Sequence, residues 1–185
     1  MKILDVQKKN INKILSIDPA SHSLAFAVLT PKKLVAKGKV MFPKGADMHT
    51  RQKIIAASIP KLLRKHKPDY LLVEESIYLQ NPTTSRTLAY IVGGIWCQGA
   101  AENVSTGHVG PLKWKPGVGY RNVSKKEKDE MLPVLGTKGA VDKWAANERK
   151  ERVRTIVLDR IPGLEETDTD ITDAIAIGLW GLENL

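Results

Sequence analysis

Two apolar runs in this chain each end on a carboxylate. Ile14-Leu15-Ser16-Ile17 leads into Asp18-Pro19, and Tyr70-Leu71-Leu72-Val73 leads into Glu74. Runs this short and this continuous have the length and pattern of buried strands. A third run, rich in alanine and isoleucine, opens on two more acids in Asp170-Ile171-Thr172-Asp173-Ala174-Ile175-Ala176-Ile177. On a helix, Asp170 and Asp173 at i and i+3 face the same way. Carboxylates at the ends of neighbouring strands, met by two more on a helix, are the oxygen donors that a pair of hard cations takes.

The rest of the chain supplies a sheet and helices to carry them. Strands are predicted at 12–18, 23–29, 33–42 and 70–75, with a weaker one at 103–109. The Thr30-Pro31-Lys32-Lys33 interval is a turn, so the first three strands form an antiparallel meander. Apolar positions Ile54, Ile55, Ile59, Leu62 and Leu63 give 49–66 a helical spacing, with Pro60 expected to kink or split it. Residues 83–101 form the most apolar helix, which covers more than one face. That pattern suits either a central core helix or one that also meets a second subunit. Residues 110–123 read as a Gly- and Lys-rich loop, and Ser124-Lys125-Lys126-Glu127 as a capping box opening a short helix. The 133–147 stretch fits no clear pattern and reads as an excursion, with Asn147 capping a helix to Arg160 that Pro162-Gly163 ends. A last helix starts near 168–170 and runs to Gly181. Strands first, then strands alternating with helices, define a mixed α/β sheet.

Composition narrows the partners. At 185 residues with 42% hydrophobic, the chain suits one domain with a substantial core. Its 29 Lys and Arg against 20 Asp and Glu give a net charge of +9, which points to a polyanion such as nucleic acid, although a merely soluble basic protein has the same balance. Cys97 is the only cysteine, so there is neither a disulfide framework nor a cysteine-based zinc site. No apolar run approaches the ~20 residues of a membrane span, and no signal-peptide core follows Met1-Lys2, so a cytoplasmic location is expected.

Each acid alone has an ordinary explanation. A strand-end Asp before proline forms turns, and an acid in a helix's first turn is favoured by the dipole. Together, and with Glu165, Glu166 and Asp168 adding charge beside the pair, they repel unless a cation or a basic partner compensates. Oxygen ligands without nearby cysteine select Mg²⁺ or Mn²⁺ over zinc. Asp5 lacks the Asp-Pro-x-Ser turn and reads as surface.

The ordered set Ile17-Asp18-Pro19-Ala20-Ser21, Val73-Glu74-Glu75 and Asp170-Ile171-Thr172-Asp173-Ala174-Ile175-Ala176 resembles the RuvC-type Holliday-junction resolvases, the crossover junction endodeoxyribonucleases, over about residues 11–182. The resemblance implies a ribonuclease-H-like fold, a five-stranded mixed sheet flanked by helices. Carried over residue by residue, it makes Asp18, Glu74, Asp170 and Asp173 the catalytic acids and metal ligands. Adjacent strand residues point to opposite faces, so only one of Glu74 and Glu75 can join Asp18, and the family's pattern favours Glu74. The implied chemistry is phosphodiester hydrolysis with two Mg²⁺ ions, for which Mn²⁺ substitutes. One ion activates water, and the other, about 3.5–4 Å away, stabilises the leaving 3′ oxygen. Asp18 is expected to bridge both.

Lys113, Trp114, Lys115, Arg121, Lys125, Lys126 and Lys128 concentrate charge in one segment. In the resembled family, lysines of this stretch contact phosphates near the cut, and Pro111-Leu112-Lys113-Trp114-Lys115 with Gly117-Val118-Gly119 is similar to phage-type members. A solvated basic loop is the ordinary alternative. Trp114 is expected either to stack on a base or to plug the core, with the core favoured. Ile77 and Tyr78, apolar in a loop after Glu74, are candidates to enter the junction centre; burial within the domain explains them equally well.

Relative to shorter bacterial members, residues 1–10 are an N-terminal extension and 129–147 an insertion within a nuclease domain spanning 11–185. The resemblance as a whole implies a homodimeric, Mg²⁺-dependent endonuclease that makes paired symmetric nicks in four-way DNA junctions, leaving 5′-phosphate and 3′-hydroxyl ends. Alternatives are a broader branched-DNA debranching nuclease, an RNA–DNA hybrid nuclease of the same fold, and a non-catalytic branched-DNA binding module.

Overall fold

The computed structural model describes residues 11–75, 81–164 and 168–185. Five strands form one sheet in the order β3-β2-β1-β4-β5, comprising β1 (Ile14–Pro19), β2 (Ser23–Thr30), β3 (Lys33–Met41), β4 (Tyr70–Glu74) and β5 (Ser105–Val109). The first three pair antiparallel, while β4 and β5 run parallel to β1. The expected five-stranded mixed sheet flanked by helices is therefore present. The continuously apolar runs at β1 and β4 are explained by their central places, with both faces covered.

Alternation along the strands divides the core in two. Leu15, Ile17, Leu24, Val28, Leu71 and Val73 face α1 (Met48–His66) and α2 (Pro82–Ala101). Ile14, Ala25, Ala27, Leu29, Leu72 and Val109 face the other layer. There α6 (Thr169–Asn184) lies against the sheet, with α3 (Pro111–Gly117) and α5 (Lys138–Arg160) packed beside it. Helix α4 (Lys125–Leu135) buries no residue and is carried by α5.

Helix α6 can lie close to the sheet because of two glycines. A Cβ on Gly178 would stand 2.3 Å from Leu29 Cδ1 and 2.7 Å from Ser16 Oγ, and one on Gly181 2.7 Å from Ile14 Cδ1. Ser16 Oγ, fully buried, donates a 2.6 Å hydrogen bond to the Ala174 carbonyl. This fixes the helix to β1 two residues from Asp18 and one from Asp173.

Several elements differ from the sequence expectation. Residues 110–123 are not wholly a loop: Pro111 at the first helical position and a buried Trp114 make 111–117 the short helix α3. Residues 133–147 are not an excursion. Helix α4 continues to Leu135, and α5 starts at Lys138 with Thr137 as its cap, where Thr137 Oγ1 accepts the Ala140 N–H. Asn147 therefore lies inside that helix. Val141, Ala145, Val153 and Val157 form its buried stripe at helical spacing. Pro60 does not split α1, which runs unbroken through it, and α6 extends past Gly181 to Asn184. The capping box at Ser124 and Glu127 is present, and it is reinforced by an Arg152–Glu127 ion pair. The Ser124 backbone N–H, and after it Arg152, hold Glu127 down to a pKa of about 2.

Candidate carboxylate site and basic face

Strand register brings the acids together. In the parallel β1–β4 pair Ile17 stands opposite Val73, so the next residues, Asp18 and Glu74, leave the sheet side by side. Both share the α6 face with Ser16 and Leu72 by strand alternation. Glu75 turns away: it is exposed and sits 3.9 Å from His108 Nε2. The first turns of α6 then set Asp170 and Asp173 over the same strand ends. The helix is capped by Asp168, whose Oδ1 accepts the Ile171 N–H at 3.0 Å.

The electrostatics record the crowding. Burial, then Glu74, Asp173 and Asp170, push the Asp18 carboxyl well above the usual carboxylate range, and Asp18 lies within hydrogen-bonding reach of Glu74. Burial is also the main cause at Asp173, whose pKa rises to about 7, with Glu74 and Asp170 adding and Lys115 opposing.

Two contacts of these acids escaped sequence reasoning. Trp114 Nε1 donates to Glu74 Oε1 at 2.8 Å. Lys39, on the edge strand β3, places Nζ 2.6 Å from Asp170 Oδ2 and 2.8 Å from Asp168 Oδ2. Trp114, expected to stack on a base or plug the core, does plug the core, fully buried, and its indole edge also reaches the acids. For Lys39 the available signal was a lysine sharing a strand face with inward-facing neighbours, through the line Asp18–Ala25–Lys39 across three strands.

Among the described residues, no three Asp, Glu, His or Cys side chains stand as a ready-made metal cage. The donor chemistry nonetheless fits a hard divalent cation: oxygen ligands only, with the Asp18 and Asp173 carboxyls raised by burial and then by the neighbouring acids. Asp170 is engaged by Lys39, and Glu74 by Trp114.

The basic residues separate into groups. Lys115 is half-buried beside the Trp114 and Tyr120 rings, 5.2 and 5.8 Å from their centroids, with its charge felt at Asp173. Lys113 is exposed, 5.4 Å from the Trp180 ring centroid. Arg121 and Lys125 are exposed, as is Lys126, which pairs loosely with Glu130 at 3.9 Å. Lys128 is bound to Asp142 at 3.0 Å, so its charge is largely spent within the protein. Ile77, Tyr78, Glu165, Glu166, Asp5 and the 1–10 extension lie outside the described residues.

The sheet order and its acid-bearing strand ends define a ribonuclease-H-like protein. A family model described as crossover junction endodeoxyribonuclease RuvC matches residues 14–135. The chain belongs to that RuvC family. The model's match takes in Asp18 and Glu74 and stops before Asp170 and Asp173. Relatives bearing the same name are 27% identical in Fusobacterium nucleatum, over 65% of this chain and 66% of that protein, and 30% identical in Syntrophomonas wolfei, over 67% and 76%. The Rickettsia typhi protein is 26% identical over 91% of this chain and 96% of its own. RuvC of T. thermophilus in complex with Holliday junction substrate superposes with a TM-score of 0.68 at 18% identity, covering 91% of each chain. The yeast mitochondrial Holliday junction resolvase Ydc2 gives 0.54 at 13%, over 98% of this chain and 84% of that one.

Proposed function

We propose that this protein is a divalent-cation-dependent endonuclease that resolves four-way DNA junctions by paired symmetric nicks. The observation that carries the reading is the convergence of Asp18 and Glu74 at adjacent strand ends with Asp170 and Asp173 on α6, in a chain of net charge +9. Asp18, Glu74, Asp170 and Asp173 would hold two Mg²⁺ ions, for which Mn²⁺ substitutes. When bound, these ions supply Lewis-acid activation of water and charge stabilisation at the leaving 3′ oxygen.

The chain's own residues do the remaining work. Asp18, crowded by the other three acids, would be favoured in its ionised form by bound cation charge, against the burial and the neighbouring carboxylates that raise its pKa. Trp114 fixes the rotamer of Glu74, and Ser16 holds α6 at the strand ends so that Asp173 cannot drift. Lys115, beside Asp173, is suited to a phosphate oxygen near the cut, and Lys113, Arg121, Lys125 and Lys126 continue a basic face for the duplex arms. Contacts of this kind supply affinity without reading sequence. Lys128 is left out of that face by Asp142. Ile77 and Tyr78 keep the proposed role of entering the junction centre. The nuclease domain is taken as 11–185, with 1–10 as an extension and 129–147 as an addition within it.

Paired cuts need two sites, hence a homodimer. Helix α2 supports this. It buries Ile91, Val92, Ile95 and Gly99 on one side, and on the other exposes Arg86, Ala89, Tyr90, Trp96, Cys97 and Ala100 along one stripe. Tyr90 is 54% exposed, unusual for so large a side chain on a helix with little charge.

The test is cleavage of four end-labelled substrates in Mg²⁺: a mobile four-way junction, a fork, linear duplex and RNA–DNA hybrid. Symmetric nicks confined to the junction are expected. Junction and fork cutting together would make it a general debranching nuclease, and hybrid cutting alone would overturn the named substrate.

A further inference from the structure

Lys39 belongs to no part of the catalytic scheme above, yet its ammonium stands 2.6 Å from one of the four acids. It lies on β3, the edge strand, opposite Ala25, which in turn lies opposite Asp18. The three side chains form a row across the sheet on the face that α6 covers. Ala25 is the small member, and over it the lysine stem reaches the first turn of α6. There its ammonium is divided between Asp170 Oδ2 at 2.6 Å and Asp168 Oδ2 at 2.8 Å. Asp168 is held in place by its other oxygen, which caps the helix. Lys39 is 20% exposed and Asp170 32%, so the pair is only partly screened by solvent.

We propose that Lys39 is a positioning residue that competes with a divalent cation for Asp170, a built-in cation that must be displaced before the second metal position closes. This rests on the metal-dependent reading above. Of the four converging acids, Asp170 carries a lysine ammonium at contact distance, whereas Asp18, Glu74 and Asp173 crowd one another, with Lys115 offsetting part of that charge at Asp173. A first ion would draw on Asp18, Glu74 and Asp173, and a second would need Asp170, which Lys39 holds. A lysine suits this role better than an arginine. Its ammonium is a compact point charge on a flexible stem, which releases a carboxylate more readily than a bidentate guanidinium does.

Mn²⁺ binding to the DNA-free protein, followed by calorimetric titration, tests this without reference to cleavage. Lys39→Met removes the competing charge while keeping most of the stem. The weaker of the bound ions is expected to bind about threefold to tenfold more tightly than in wild type. Lys39→Arg keeps the cation and is expected to match wild type or bind more weakly. A thermal melt gives a second readout. Without metal, Lys39→Met melts lower than wild type, and Mn²⁺ raises its Tm by more than it raises the wild-type Tm. Equal Mn²⁺ affinity in wild type and Lys39→Met, or weaker binding in the variant, overturns the competition while leaving the metal site standing. No Mn²⁺ binding by either protein overturns the metal reading and the competition with it.

Discussion

Trp114 donates its indole Nε1–H to Glu74 Oε1 at 2.8 Å, so a fully buried side chain of the basic segment orients an acid at the end of β4. The contact joins two parts of the molecule that the proposed reaction uses differently: the strand-end carboxylates and the helix that carries Lys113 and Lys115. Trp114→Phe keeps most of the core volume and removes only the donor. Loss of a hydrogen bond to a charged acceptor is expected to cost about 1–2 kcal/mol of stability. Misplacing Glu74 is expected to slow junction cleavage by about tenfold to a hundredfold. The loss should fall on kcat, with junction affinity unchanged in Ca²⁺, where binding is scored without cutting. A fall in affinity matched by an unchanged kcat would mean that Trp114 serves DNA and not Glu74.

Asp173 sets a pH dependence whose sign follows from its burial. In the fold it keeps its proton up to about pH 7, against an ordinary value of 3.8. Between those values the native state binds more protons than the unfolded chain, so metal-free stability falls as pH rises through that window. Asp18, raised in the same direction, adds to the fall. Tm measured in chelator from pH 4.5 to 7.5 should decline, and Asp173→Asn should flatten the decline. Cation binding needs the deprotonated acids, so Mn²⁺ affinity should climb across the same range. A metal-free Tm that rises with pH in wild type, and equally in Asp173→Asn, would contradict the assignment.

The close approach of α6 to the sheet is a packing requirement at Gly178. A methyl there would meet Leu29 and the Ser16 hydroxyl well inside contact distance. Gly178→Ala is expected to destabilise the protein by about 1–3 kcal/mol through overpacking. Ser16→Ala should cost about 1 kcal/mol by removing the bond to Ala174. Denaturant titration measures both. Gly178→Ala at wild-type stability would mean that the helix sits farther from β1 than the structure has it.

The basic face predicts a graded salt dependence. Lys113→Ala and Arg121→Ala should each lower the slope of log K against log salt by roughly 0.9 on duplex arms. Lys128→Ala should leave it nearly unchanged, because Asp142 already neutralises that ammonium. Filter binding of a four-way junction at several salt concentrations, in Ca²⁺, reads these slopes. A Lys128 effect equal to that of Lys113 would show that the Asp142 pair opens on DNA.

The frame of the site was legible in the sequence because it depends on local rules. Strand alternation allowed only one of Glu74 and Glu75 beside Asp18, with the family resemblance favouring Glu74, helical spacing set Asp170 beside Asp173, and continuous apolar runs marked β1 and β4 as central. What escaped was non-local or masked by composition. Lys39 lies 131 residues from Asp170 on an edge strand, and no local pattern joins the two. The start of α5 was hidden because Val141 and Ala145 are its only buried residues before Val153, too sparse a stripe among Lys, Glu, Asn and Arg to announce a helix. Helix α3 was obscured by its lysines, Pro116 and Gly117, with only Pro111 and Trp114 to betray it.

The central claim is that the carboxylate cluster cuts DNA junctions, and Asp18 is its most crowded member. The most direct measurement compares wild type with Asp18→Asn on one end-labelled mobile four-way junction, scoring binding in Ca²⁺ and cleavage in Mg²⁺ on the same preparation. Paired symmetric nicks are expected from wild type. Asp18→Asn is expected to bind the junction fully with cleavage reduced at least about a thousandfold. Nicking by Asp18→Asn at near the wild-type rate would contradict the claim.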